Sequence, residues 1–322
     1  DHDVIWAASG HLVSWDQVVI DSKKTTQVVM PLLKAEAQIS LEAGYEVGPI
    51  SVGVDETGFL TGIEYKGRPM MSAPPDSCLW RAPTDNDGVK QGWMASVSGV
   101  RQKWIREGLD NLEIHRNKYE AYKYGDDVFL VFEREIHGVS NFALHHSVYS
   151  LTAKGIYVTE RIGIPEDWDD MPRVGIRFEM PESFNLLRWF GRGPQESYAD
   201  RYLSQMVGIW DSDIESQYHR YVVPQEHGAH HQTRWFTLQD NSGLQIRIAS
   251  SNPFSFSARF HHDLDITPAK TIADLKRKDT IEVHVDTALR GLGTGACGPD
   301  VLEKYQVCAG EYIWDWEISF KE

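Results

Sequence analysis

Apolar and polar residues alternate in short runs along most of this chain, with turn-forming residues between the runs. Positions 50–54, 60–65, 119–124, 128–136, 144–152, 156–164, 174–180, 244–249, 254–259, 281–289 and 312–320 each carry the period-two pattern of a strand. Asp55 to Gly58 and the pair Lys66 and Gly67 read as the turns of a β-meander. A helical period appears only around 100–108 and 271–276. Leu12, Ser14 and the segment 15–20 suggest a strand pair with too little around it for a core. So many strands without intervening helices predict an all-β chain built as a large antiparallel sandwich. The pattern divides into residues 1–35, read as the end of a preceding unit with a linker, and residues 36–322, read as the main domain.

The densest polar chemistry follows an apolar strand end. Leu186, Leu187, Trp189 and Phe190 run into Gly191, Arg192, Gly193 and Pro194, and then Glu196, Tyr198, Asp200 and Arg201 follow closely. The two glycines permit positive φ and the proline fixes φ after them, so a sharp bend is expected there. The four polar residues have the composition of a hydrogen-bonded cluster that holds architecture together.

Composition narrows the function. There are 47 acidic against 32 basic residues, a formal charge of −15, which argues against nucleic acid or an anionic membrane as partner. No apolar run is long enough to cross a bilayer as a helix. The chain begins at Asp1 within a strand-like pattern, so the start of a longer parent would not be seen, and the compartment stays open, with the cytoplasm favoured. Cys78, Cys297 and Cys308 are few and widely spaced, which predicts free thiols and no disulfide framework. The 11 Trp, 13 Tyr and 12 Phe are spread along the chain and serve mainly as core, with ring faces available to sugars.

Four ordered motifs carry a resemblance. They are Trp80 to Asp87 (WRAPTDND), the turn at 191–201, Pro224 to Gly228 leading to Thr233, Arg234 and Trp235, and Gly291 to Asp300 (GLGTGACGPD). In order and spacing they resemble the C-terminal domain of glycoside hydrolase family 2 β-galactosidases, which also occurs as a separate small subunit. The stretch 10–17 is similar to the end of the immunoglobulin-like domain that precedes it in that family. The resemblance implies a β-supersandwich related to galactose mutarotase, lying against a catalytic (β/α) barrel that supplies the two carboxylates of a retaining mechanism. On that reading the chain contributes no catalytic residue and is inactive alone. Its partners are the barrel, a galactoside such as lactose, and further copies of the same enzyme. No cofactor is expected here, whereas divalent or monovalent cations belong to the complete enzyme.

Two stretches are candidates for the pocket wall. Asp85, Asn86, Asp87 and Gly88 look like part of a calcium loop, but placing Gly88 at the sixth position puts Pro83 where the first ligand belongs. By resemblance, the stretch 88–97 is a mobile loop beside the pocket, with Gly88 and Gly92 as hinges. Asn86 and Asp87 flank it. The second stretch is 291–300, where the position of Cys297 faces the aglycone by resemblance. Some relatives carry tryptophan there, and a cysteine offers less stacking area.

Glu226, His227, His230 and His231, with His261, His262 and Asp263, are raw material for a metal or an acid/base pair. Their spacing matches no helical zinc motif, so no metal site is assigned, and Glu226 and Arg234 are read as hydrogen-bonding residues. Two alternatives to the β-galactosidase reading stay open. One is an aldose 1-epimerase with Glu226 as base and a neighbouring histidine as acid, and the other is a carbohydrate-binding or structural module.

Overall fold

The computed structural model describes residues 5–20, 37–39, 43–88, 99–293 and 300–322. Cys297, Gly92 and Gly295 lie outside the described residues.

The strands are β1 (Ala37–Gln38), β2 (Gly44–Val47), β3 (Ile50–Val54), β4 (Leu60–Tyr65), β5 (Arg68–Pro69) and β6 (Ala73–Cys78). Then follow β7 (Glu113–Tyr124), β8 (Asp127–His137), β9 (Phe142–Thr152), β10 (Gly155–Ile164), β11 (Arg173–Pro181) and β12 (Leu186–Gly193). The last are β13 (Met206–Asp213), β14 (His230–Gln239), β15 (Gln245–Arg259), β16 (Thr280–Leu289) and β17 (Gly310–Lys321). β2 to β5 form the small meander, and the others form one branched antiparallel sheet of 13 strands. The expected antiparallel all-β sandwich is what the chain forms.

The branch lies in β15. Its first half pairs with β17 through Gln245 to Ala249, and its second half pairs with β16 through Ser255 to Arg259. Pro253 falls between the two halves, where it removes no ladder hydrogen bond to either. One strand thus belongs to both layers, and the two strands read from the sequence at 244–249 and 254–259 are one. β16, β11 and β6 continue the second layer. Between the layers lies a continuous core that includes Phe132, Trp168, Trp189, Phe236, Phe256 and Trp316.

The helix expected at 100–108 is α1 (Val100–Glu107), closed by Gly108 in the left-handed conformation with φ 78°. At 271–276 there is only a 3-10 turn, Ile272–Asp274, capped reciprocally by Thr271 and Asp274. The strand pair expected near 12–20 is not formed among the described residues, because nothing there supplies a ladder partner. Leu12, Val13, Val18, Val19 and Ile20 are exposed, and the Gln17 side chain reaches the sheet, bonding both backbone groups of Val207 at 2.9 Å.

The turn after β12 also departs from expectation. Gly191 and Gly193 do not have positive φ; both lie within the strand, and the Gly193–Pro194 peptide is cis. The glycines are needed for space. A Cβ at Gly191 would come within 2.5 Å of Thr233 Oγ1, and one at Gly193 within 2.6 Å of Trp210.

Candidate functional site

The sequence motifs meet at one loop cluster. Asp87 is fully buried and binds both ends of Arg81, Nη1 to Oδ2 at 2.8 Å and Nη2 to Oδ1 at 3.0 Å. Oδ2 also accepts from the Thr84 amide and hydroxyl at 2.7 and 2.9 Å. Arg290 reaches Oδ1 at 3.1 Å and forks onto Asp170 at 2.7 and 2.8 Å. Both guanidiniums lie over the Trp104 ring of α1. This bidentate geometry fixes the turn 84–88 as a rigid body, with Asp87 facing inward and Asp85 outward.

The start of the last motif is held from two sides. Asp200 accepts from the Leu292 amide at 3.1 Å and the Gly293 amide at 2.8 Å, while Asn86 Nδ2 donates to the Leu292 carbonyl at 3.0 Å. A Cβ on Gly291 would come 2.7 Å from the Asp200 carboxyl carbon. At Gly293, φ is +116° and a Cβ would come 2.3 Å from Asn86 Nδ2. Gly88, buried with φ 145°, stands at the end of the gripped turn.

The remaining motif residues brace this cluster from below. Glu196 accepts from the Gly228 amide at 2.8 Å and the Tyr221 hydroxyl at 2.7 Å, and pairs with Arg201. Tyr198 donates to Glu226 at 3.4 Å, and Gln225 accepts from the Asp85 amide at 3.2 Å. Arg234 stands apart: it donates to the Gln232 carbonyl and lies over Phe190.

Beneath the loops sits an ionic hub of which the sequence reading named only Glu226 and Asp263. Arg173 meets His284 Nδ1 at 2.7 Å, Asp263 at 2.9 Å, Asp286 at 3.0 Å and Glu226 at 3.6 Å. Arg259 meets Asp263 at 2.5 Å and Glu226 at 3.4 Å. Glu282, His284 and Asp286 alternate with Ile281, Val283 and Val285 on β16, which read as a solvent face beside a core face. Both faces are in fact buried. Outside the hub, the buried Arg134 on β8 and Glu160 on β10 carry a better signal, since each shares the inward register of its apolar neighbours.

Burial raises the Asp286 carboxyl to about 7 against the pull of Arg173, and it raises Glu226 despite Arg259. Asp263 is also penalised by burial, yet Arg259 and Arg173 hold it below the usual carboxylate range. Burial lowers His227 and His230 to about 4 and Cys78 rises to about 11.

The ligand atoms of Asp263, Glu282 and His284 lie within 4.8 Å of one another. They do not suit a cation. His284 Nδ1 already accepts from Arg173, and two guanidiniums supply the positive charge that a metal would bring. As an epimerase base, Glu226 is likewise poorly placed, being 0% exposed and paired with both arginines.

A family profile described as beta galactosidase small chain matches residues 50–318. The chain belongs to the β-galactosidase small-chain family. It is 28% identical over 319 residues to a beta-galactosidase of Arthrobacter sp. (strain B7), covering 92% of this chain and 30% of that protein. To a beta-galactosidase of Kluyveromyces lactis it is 27% identical over 327 residues, covering 97% of this chain and 30% of that one. The chain thus spans under a third of the length of these relatives. Among solved structures it is similar to a galactose mutarotase-like protein from Clostridium acetobutylicum, with TM-score 0.48, 10% identity, and coverage of 87% and 94%. A putative aldose 1-epimerase from Escherichia coli K12 gives TM-score 0.43, 12% identity, and coverage of 86% and 98%.

Proposed function

We propose that this chain is the non-catalytic C-terminal part of a glycoside hydrolase family 2 β-galactosidase, and that its loop cluster forms one wall of the galactoside pocket. The observation that carries the proposal is the convergence of the turn 84–88, Asp200 and Gly291 to Gly293 into one braced unit. Its side chains hold backbone, and a pocket wall needs rigid backbone. The carboxylates of the hub are sealed from any sugar, so the acid/base and nucleophile of the retaining mechanism come from the barrel. The barrel, of the same chain or a separate subunit, is the partner. Self-association and any cation requirement belong to the assembled enzyme.

Peptide-mapped alkylation of Cys297 tests the pocket role in that assembled enzyme. A small reagent should label this thiol in the folded state, and a bound galactoside should slow the labelling. Labelling only after denaturation would make Cys297 a core residue and remove it from the pocket.

A further inference from the structure

Far from the motif loops in sequence, the β7–β8 hairpin carries two histidines and two glutamates in a checkerboard. Glu113 lies directly opposite His137, and His115 directly opposite Glu135. Side chains two apart on a strand share a face, so all four project from the same side of the pair. The two imidazole ring centres are 4.7 Å apart. Each ring is backed by the carboxylate of its own strand, His137 Nε2 at 2.8 Å from Glu135 and His115 Nε2 at 3.6 Å from Glu113. Glu135 is steadied in turn by Asn117 Nδ2 at 2.9 Å, and the His137 ring is stacked on Phe142.

Two neighbouring imidazoles, each with a carboxylate at its Nε2, are the starting material of a histidine metal site. A ligating imidazole commonly donates its second N–H to a carboxylate, which fixes the tautomer and leaves the other nitrogen for the ion. An ion about 2.0–2.1 Å from one nitrogen of each ring at the tetrahedral angle sets the ring centres roughly 5 Å apart, so the two rings need to move apart only slightly from the separation seen here. The four side chains are between 27% and 74% exposed, so an ion reaches them from solvent and closure needs only side-chain rotation.

We infer that His115 and His137 form a binding site for a borderline divalent transition ion such as Zn2+, with Glu135 and Glu113 as supporting carboxylates. Imidazole with carboxylate favours such an ion over Ca2+ or Mg2+, which take oxygen ligands. The inference is independent of the proposed galactosidase role. A site joining two neighbouring strands would fasten the hairpin at its far end, where β1 does not reach β7.

Calorimetric titration of this chain with Zn2+ alone tests it, comparing wild type with His115→Gln, His137→Gln and the double variant. The positions are exposed enough for the variants to fold normally, which circular dichroism checks. The wild type should bind one more equivalent than the double variant, and each single variant should weaken that equivalent at least tenfold. In NMR spectra the ring signals of His115 and His137 should respond together to the first equivalent. Coincident titrations of wild type and double variant, or a response from only one ring, would overturn the assignment.

Discussion

The hub and the loop cluster are both dense with charge, yet they spend it differently. In the hub, Arg173 and Arg259 bind mainly carboxylates and an imidazole, on β16 and in the segments flanking β14 and β15, and each adds one backbone carbonyl, Trp80 and His227. In the loop cluster, Asp200 and Asn86 bind backbone amides and a carbonyl of residues 292–293. Those side-chain pairs tie strands whose paths the ladders already fix, β11, β15 and β16, to the short segments that hold Glu226 and Asp263. Side-chain bonds to backbone give a definite path to a segment that has no ladder. The first arrangement is scaffold, and the second suits the proposed presentation of a loop to a ligand.

Breaking the hub should have the largest effect. Arg173→Met leaves Asp263, Asp286 and Glu226 with one buried cation fewer, at a cost of ~3–5 kcal/mol in urea denaturation. Asp200→Ala should cost less, about 1–3 kcal/mol, because two amides lose an acceptor at the molecule's edge. Its mark should be local: faster hydrogen exchange at Leu292 and Gly293, with exchange in β15 and β16 unchanged. Global unfolding in the Asp200 variant would erase the distinction between scaffold and presented loop.

A third effect should be one of pH. The Asp286 carboxyl is raised from 3.8 to about 7, so its contribution is fully present below pH 3.8 and is lost as pH rises through 7. His227 and His230, lowered from 6.5 to about 4, act in the opposite sense: their contribution is present above 6.5 and lost as pH falls through 4. Asp286→Asn should therefore remove the Asp286 share of the pH dependence between about 4 and 7, so that melting temperature rises more steeply with pH there than in the wild type, and leave the profile outside that window unchanged. An unaltered profile between about pH 4 and 7 would place the buried proton elsewhere in the hub.

Much of the fold was legible in the sequence because alternation survives wherever one strand face is wet, as on β10, the start of β9 and the second half of β8. It failed where that condition failed. β6 begins Ala73, Pro74, Pro75, which reads as a break, but it runs along the edge of its layer, where proline is tolerated. β14 mixes His230, Gln232, Thr233 and Arg234 among its apolar residues and gave no clean period. The motifs of the site were visible one by one, whereas their meeting place was not, because the bonds that join Asn86 and Asp200 to Leu292 span 206 and 92 residues. Buried arginines were hidden for a simpler reason. Composition counts an arginine as surface, and only its partners, distant in sequence, make burial tolerable.

Hydrolysis of a chromogenic β-galactoside by the purified chain tests the central claim most directly. The chain should unfold cooperatively, as one core predicts, and should release no chromophore above buffer. Adding the remaining portion of the enzyme should then restore hydrolysis, through an interface above ~1,000 Å² in total. Hydrolysis by the purified chain would put the catalytic carboxylates within it and contradict the account. So would full activity of the remaining portion without this chain, since the loop cluster would then form no part of the pocket.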